Sequence, residues 1–586
     1  MGRLDGVGLH MVETTEDIEE FKRWLGQKRD VLGFDTETSG FSPEHDRIRL
    51  IQFGDMTAGY AIDWQMWRGL AHEVLTRYDG PLVAHNSKFD VRHICHDFGW
   101  SVEKWPWHRT HDTQGMAHIL DSQRLKGLKP LANYHVDGRA AAGQSTLDDA
   151  MKRNGWDWGT VPVDFPPYWQ YAALDPVLTA HMYDVFKDEV FGQHKELYDM
   201  EMGAIRVAAK MEERGARVDL GYSRTKAVEL REYEIQARAY LRSQYGIDNP
   251  TSMQLIRFFQ ANDIPMIDKM TASGGQSMDV DVLNAIDHEV AKITLAIRKA
   301  NKMAGTYLEN FSKFADDEGF LHPSINTMAA RTGRMSITDP ALQTLPRKDP
   351  LIRDAFIPRP QHSLLTIDAD QIEARLTAHF SRDPGLIAAF HEEGDFFCNI
   401  GAQIFQRPIK KGDPERDLVK PVVYGKVYGS SVAKMAATAG VMQSQMHAVN
   451  ATFDARFPGV RRMMMEIVDT GKKRKLEEGR GYVITPYGRK LRSDPGKEYT
   501  LVNYLIQCHA SEILKKKMVL LDQAIPEEAL MILPVHDEII FDVPTDMVHD
   551  VKRVAEEVLN ESEGYLVPIT WSGDILSESW GEKYRK

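Results

Sequence analysis

The chain has very little cysteine. Cys95, Cys398 and Cys508 are the only three in 586 residues, and they lie far apart. That spacing excludes a disulfide framework and a zinc motif, and it suits a reducing cytoplasm. Long apolar runs are missing too: no stretch approaches 18 uninterrupted apolar residues, so no membrane span is expected. The first twenty residues lack the apolar core of a secretory signal. Net positive charge is also absent, with 72 Lys and Arg against 85 Asp and Glu, a balance of −13. Nucleic acid stays possible as a partner, because binding needs a local basic face and metal-holding acids add negative charge. A chain of this length is too large for one core, so three or four domains are expected.

The sequence is organised around residues 364–376, LLTIDADQIEARL. Leu364 to Ile367 have the composition of a buried strand, and the strand delivers Asp368 to its end. The first turn of a helix follows, projecting Glu373 and Arg375. Alone, such a stretch is more often a surface turn than a site. Far downstream, MILPVHDEIIFDV reads as two strands with His536, Asp537 and Glu538 at the hairpin tip. Bringing Asp368 and Asp537 together predicts a two-carboxylate site for divalent metal.

Three stretches near the N-terminus carry further acids. VLGFDTETSG is a strand whose alternation puts Asp35 and Glu37 on one face. LVAHNSKFDVRHI reads as a strand and a helix start, with Asn86 as the cap and Asp90 one turn on. A helix from 168 to 186 places Tyr171 and Asp175 at i and i+4. Each has a plainer reading, as a strand-end turn, a helix cap and a surface pair. Asp112, ahead of a further helix, is a weaker candidate. His93, Cys95 and His96 are too closely spaced to chelate one zinc and read as structural.

Residues 195–320 are rich in helical, partly basic patterns, equally consistent with a grip on duplex backbone or a scaffold with solvated charges. Beyond them, Arg331 and Arg334 flank Gly333 in a polar loop able to approach phosphate or a base edge. Arg416, Lys420 and Tyr424 stand at i, i+4 and i+8 of a helix, within an arc of about 80°. Two cations and a ring on one face fit a triphosphate with a sugar or base beyond it. The plainer reading is an amphipathic helix with a basic stripe. Asn503 and Gln507 sit one turn apart on a long helix.

The ordered N-terminal set resembles the DnaQ-like 3′–5′ exonuclease domain. Asp35 and Glu37 match its first motif, Asn86-x-x-Phe89-Asp90 its second and Tyr171-x-x-x-Asp175 its third. The resemblance implies that four carboxylates hold two metals and that Tyr171 orients the attacking water. The remainder resembles family A DNA polymerases, relatives of bacterial DNA polymerase I. The RTGR stretch, DADQIEARL, R-x-x-x-K-x-x-x-Y-G-x-x-Y-G and HDE occur in family order. The implied fold is α/β multidomain: an RNase H-like exonuclease domain at 1–190, then a right hand. Its thumb is expected at 195–320, its palm at 321–390 and 500–586, and its fingers at 391–499.

By the same resemblance Asp368 and Asp537 bind two catalytic Mg2+ ions, with Mn2+ as a substitute, and Glu538 supports them. Arg416 and Lys420 hold the dNTP triphosphate. Tyr424 stacks near its sugar and base, Tyr428 lies beside the templating position, and Glu373 blocks a ribose 2′-hydroxyl. Arg334, Asn503, Gln507 and His536 face primer–template DNA. The expected enzyme is a monomer that extends a primer and proofreads it. A processivity factor or a helicase–primase is a candidate partner. No room remains for an N-terminal 5′ nuclease domain, a shape expected of a bacteriophage replicative enzyme in the host cytoplasm.

Several positions depart from the family pattern. Ala369 stands where an aromatic residue is frequent and Asp370 where Ser is usual. Phe397 replaces a phosphate-binding histidine, and Pro534 a polar residue. Pro421 lies inside the fingers helix and is expected to kink or loosen it near Lys420. Two other classes compete. A single-subunit RNA polymerase would share much of the helix motif and HDE but not the exonuclease motifs or Glu373. A non-catalytic DNA-binding scaffold would not need the acids.

Overall fold

The computed structural model describes residues 2–585 apart from 272, 347, 348 and 563. The N-terminal unit is built on a six-stranded mixed sheet. Its strands are β1 (Gly8–Val12), β2 (Leu32–Thr38), β3 (Ile48–Gly54), β4 (Ala58–Asp63), β5 (Leu82–Ala84) and β6 (Thr110–Asp112), ordered β1-β4-β3-β2-β5-β6. β2 is central, antiparallel to β3 and parallel to β5. Being covered on both faces, it reads as a run of buried residues and not as strict alternation. Four helices matter to the site: α1 (Ser87–Phe98), α2 (Thr113–Leu120), α3 (Leu128–His135) and α4 (Pro166–Gln193).

Helix α4 lies against the sheet more closely than side chains would allow. A Cβ on Gly59 would sit 1.9 Å from the Ala173 carbonyl oxygen, and one on Gly33 would sit 2.3 Å from that of Pro176. Both positions need glycine for backbone to meet backbone. The result is that Tyr171 and Asp175 stand over the end of β2.

Helix α5 (Lys195–Arg214), assigned by its sequence to the 195–320 segment, packs elsewhere. Its Val207, Ala208 and Met211 join the core of the C-terminal half. α6 (Leu220–Tyr245) and the helices after it form their own small core of Leu241, Leu255, Phe259, Val290 and Ile297. The apolar face of α5 has a larger core within reach than that small helical unit offers.

The second sheet has four strands: β7 (His362–Ala369), β8 (Leu530–Val535), β9 (Glu538–Pro544) and β10 (Trp571–Leu576). All pairings are antiparallel in the order β8-β9-β7-β10. Around it stand α7 (Ile372–Ser381), α8 (Phe396–Phe405), α9 (Pro414–Val427) and α10 (Thr500–Ala524). α8 and α9 share a core with residues 446–460 through Phe397, Val419, Val422, Phe453 and Phe457. Helix α9, in which a kink or loosening near Lys420 is expected, runs through Pro421 without ending. The carbonyl deprived of a donor is that of Asp417, whose side chain is 71% exposed, so water can satisfy it.

A buried set of charges joins the two halves. Arg489 has no solvent exposure and pairs with Glu201 of α5 and with Glu512 of α10 at 3.1 Å. Lys515 donates to the same Glu201 at 2.8 and 2.9 Å. Arg489 also bonds His118 Nδ1 of α2 at 2.9 Å, and His118 Nε2 reaches the Ala330 carbonyl at 3.0 Å. Removing one member would strand an uncompensated buried charge.

Candidate active sites

In the N-terminal unit the carboxylates of Asp35, Glu37 and Asp175 each offer an oxygen within 4.8 Å of the others. β2 supplies the first two and α4 the third. Asp90, on α1, is buried beside them and accepts from Thr36 N at 2.9 Å and Thr36 Oγ1 at 2.7 Å. Burial, then repulsion from Asp90, Asp175 and Glu37, holds Asp35 well above the usual carboxylate range. Burial and the Asp175 charge push Glu37 up to about 8, and burial pushes Asp90 up to about 7. Four acids that resist ionisation together are a cluster waiting for a cation. Tyr171 stands next to it, its hydroxyl pKa raised by burial and then by Asp175.

Two details differ from the sequence reading. Asn86 does not cap α1: its backbone is left-handed, with φ 69°, and its side chain makes no capping bond. The role passes to Asp112, which accepts from Ser87 N at 2.7 Å and from Ser87 Oγ at 2.9 Å. Asp112 therefore serves as a structural acceptor across β5 and β6. Lys129 of α3 was not foreseen. It is buried, its ammonium is ion-paired with Asp175, and it lies 4.1 Å from the Tyr171 ring centroid. Sequence offers no signal for it, since one lysine on a short helix has no motif.

The second centre lies at the end of β7. Asp368 pairs with Glu538 across to β9, and Ala369 N donates to the Asp537 carbonyl at 3.2 Å. The His536–Asp537 turn takes the left-handed conformation at His536, φ 58°, with its N–H donated to Gln343 at 3.1 Å. Burial pushes Asp368 up to about 6, opposed by Lys583 and reinforced by Glu538 and Asp537. Lys583 bonds Glu538 at 2.8 Å, a contact from the far C-terminus that no motif announces.

A cavity of about 690 Å³ brings Asp368, Asp537 and Glu538 together with Arg334, Glu373, Tyr424, Tyr428 and His536. Within it Arg334 and Tyr428 both bind the Glu373 carboxylate, and Gln507 of α10 lies next to the Tyr428 hydroxyl. The Asn503 amide nitrogen is buried without a hydrogen-bond partner among the described residues. Asp370 turns aside, accepting from Thr570 and Ser572 hydroxyls at 3.2 Å each.

Arg416 and Lys420 stand further along α9, outside that lining. Arg416 is gripped by Asp395 through bonds of 2.6 and 2.8 Å. Burial raises the Asp395 carboxyl, but Arg416 and the Cys398 N–H bring it down to about 2. Both cations face the Phe397 ring, Arg416 at 5.7 Å and Lys420 at 5.5 Å from its centroid. At Phe397, where the resemblance led to the expectation of a histidine, the two cations meet an aromatic face.

Comparison with known proteins gives three kinds of match. The family described as DNA polymerase family A matches residues 221–582, and the one described as 3′–5′ exonuclease matches residues 9–190. The DNA polymerase of Mycobacterium phage D29 is 27% identical over 604 residues, covering 99% of this chain and 98% of that protein. That of Mycobacterium phage L5 is 26% identical with the same coverage. DNA polymerase I of Lactococcus lactis is 31% identical over 67% of this chain and 46% of its own length. The solved POL domain of Pol1 from M. smegmatis, in complex with DNA primer–template and dNTP, shares the fold. Its TM-score is 0.80 at 24% identity, over 98% of this chain and 99% of that one.

Proposed function

The chain belongs to DNA polymerase family A and carries a 3′–5′ exonuclease domain, and on that premise we propose how its two centres divide the work. The C-terminal centre extends a primer on a DNA template with dNTPs. The N-terminal centre removes the primer's 3′ nucleotide. The observation that carries this reading is the meeting of Asp368 and Asp537 in one cleft, beside Glu373 and Tyr424.

Asp368 and Asp537 hold two divalent ions, Mg2+ by preference and Mn2+ as a substitute, and Glu538 with Lys583 fixes the hairpin that carries Asp537. Such ions supply charge neutralisation and activation of the attacking oxygen. Arg416 and Lys420 take the triphosphate once Arg416 leaves Asp395. Tyr424 stacks against the sugar and base, and Tyr428 closes the templating side. Glu373 excludes the 2′-hydroxyl. Arg334, Asn503, Gln507 and His536 contact primer–template DNA. In the other centre Asp35, Glu37, Asp90 and Asp175 hold two ions, and Tyr171 orients the attacking water.

Residues 1–190 act as the exonuclease domain, 195–320 chiefly as the thumb, 321–390 with 500–586 as the palm, and 391–499 as the fingers. Helix α5 serves as palm by its packing. The relatives from phages D29 and L5 support replication of a phage genome inside the host cell. We propose that the enzyme acts there as a monomer, with a processivity factor or helicase–primase as candidate partner. Among the described residues no helix is long and apolar enough to cross a membrane.

The test is one gel with a labelled primer–template and Mg2+, with and without dNTPs. Asp368→Ala or Asp537→Ala should abolish extension and spare degradation. Asp35→Ala with Glu37→Ala should do the reverse. Near wild-type extension by either single variant would refute the assignment.

A further inference from the structure

The first sheet ends in a bare strand. β1 stands last in the strand order and pairs with β4 alone, in parallel register. Gly8 N donates to the Thr57 carbonyl at 3.1 Å, which sets the phase of the ladder. Backbone groups alternate along a strand, so those of Leu9 and Met11 point outward, away from β4. Among the described residues no backbone partner meets them on that side. A row of unpaired N–H and C=O groups is a template for another strand. β1 reads GLHMV and has no Pro, Lys or bulge to blunt that edge.

The edge forms the floor of a slot. The helix Thr15–Leu25 covers one face of β1, where Val12 shares a core with Phe21 and Trp24. α4 covers the other, where Met11 and Trp169 pack on one cluster with Tyr168. Between them opens a groove of about 440 Å³ that exposes Leu9, His10 and Met11. Its walls carry the carboxylates of Glu13, Asp17, Glu20 and Asp164 and neither a Lys nor an Arg. Charge of one sign decides which occupant fits. A second copy would bring the same four acids to the same edge, and a nucleic acid would bring phosphates, so both are repelled. A cationic strand finds opposite charge beside an open ladder. We propose that β1 docks an extended basic segment of a partner protein, which joins the sheet as a further strand. Its Lys or Arg side chains lie against Glu13 and Glu20, and the apolar residues between them lie against Met11 and Trp169.

The experiment follows the fluorescence anisotropy of a labelled nonapeptide of alternating Lys and Val as the full-length chain is added. Binding should saturate with a Kd on the order of 10–100 μM, the range of a weak docking contact. Glu13→Lys with Glu20→Lys should weaken it by at least about tenfold. Glu527→Lys with Glu528→Lys makes the same change of charge between α10 and β8 and should alter it by less than about twofold. Only alternate N–H groups of an added strand face its neighbour. Of two peptides N-methylated at every Lys or at every Val, one should therefore lose binding. Hydrogen exchange should slow at Leu9 and Met11 when the parent peptide is bound. No saturable binding would overturn the proposal and leave the acids as a guard against self-pairing. Parent-like binding by both methylated peptides would overturn it without any protein variant. Equal weakening by both charge-reversed chains would reduce the contact to attraction by net charge and overturn it too. A chain that dimerises with protection at Leu9 and Met11 would replace the basic segment with a second copy.

Discussion

The Tyr428 hydroxyl donates to the Glu373 carboxylate, 2.8 Å from Oε2 and 3.1 Å from Oε1. Arg334 pairs with the same carboxylate. Residues proposed for sugar selection, the template side and DNA contact form one cluster here. It ties α7 to Tyr428, which closes the C-terminal end of α9. A change at Glu373 is therefore felt in two places, the pocket wall and the placement of Tyr428.

Glu373→Ala should raise ribonucleotide incorporation relative to deoxyribonucleotide by at least about tenfold, the scale of one lost or gained polar contact to a charged group. It should also slow extension, because Tyr428 and Arg334 lose their shared partner. Single-nucleotide incorporation of NTP against dNTP reads both effects. An unchanged ratio would move the sugar gate to another residue.

Tyr424 sets a second choice. Its ring stands 5.9 Å from that of Phe397, next to the face of α9 proposed to take the triphosphate. A dideoxynucleotide lacks the 3′-hydroxyl that a normal dNTP can bond back to its own phosphates, and the Tyr424 hydroxyl can supply that donor. Tyr424→Phe should make the enzyme reject ddNTPs by about 10- to 100-fold, the worth of a hydrogen bond to a charged group. The comparison belongs in an Asp35→Ala, Glu37→Ala background, where excision cannot mask insertion. Equal discrimination by both enzymes would discard the idea.

The closeness of α4 to the sheet makes another prediction. Gly59→Ala puts a methyl group 1.9 Å from the Ala173 carbonyl oxygen, so α4 must move and take Asp175 with it. Overpacking of this kind costs about 1–3 kcal/mol. The variant should lose 3′ degradation and melt earlier, while extension continues. Retained exonuclease activity would mean that the helix yields without disturbing Asp175.

The exonuclease acids also predict a dependence on pH. Their folded-state pKa values are raised, with Asp90 near 7 and Glu37 near 8, so the metal-free fold binds more protons than the unfolded chain. Metal-free stability should fall as pH rises from the ordinary carboxylate range through about 8. A divalent ion binds the ionised form, so the rise in melting temperature on adding Mg2+ should be larger at pH 8.5 than at pH 6. Asp35→Ala with Glu37→Ala should remove most of that difference. A Mg2+ effect independent of pH would contradict the cluster's shifted titration.

Local patterns carried much of this structure into the sequence. The strand before Asp368, the hairpin around His536–Asp537 and the helical pair Tyr171 and Asp175 are short-range features, and periodicity exposes them. What stayed hidden depends on distant partners. Lys129 finds Asp175 across 46 residues and Lys583 finds Glu538 across 45. Arg416 is held by Asp395, a residue legible only as a helix cap. Asn86 misled because residue type predicts a cap, while the backbone there turns left-handed and Asp112 provides the acceptor. The packing of α5 depended on which core its apolar face could reach, and periodicity does not record that.

Arg489 holds Glu201, Glu512 and His118 at once, without access to water. Such a knot does not slide: each bond is directional, and opening it means hydrating charges that are now dry. The two catalytic centres are thus bolted to a common chassis, and neither can swing across to meet the other. Traffic between them falls to the nucleic acid. On the proposed division of work, a growing end would reach the editing pocket by fraying from its complement, so a mispaired terminus, which frays more readily, would sort itself for removal by its own melting.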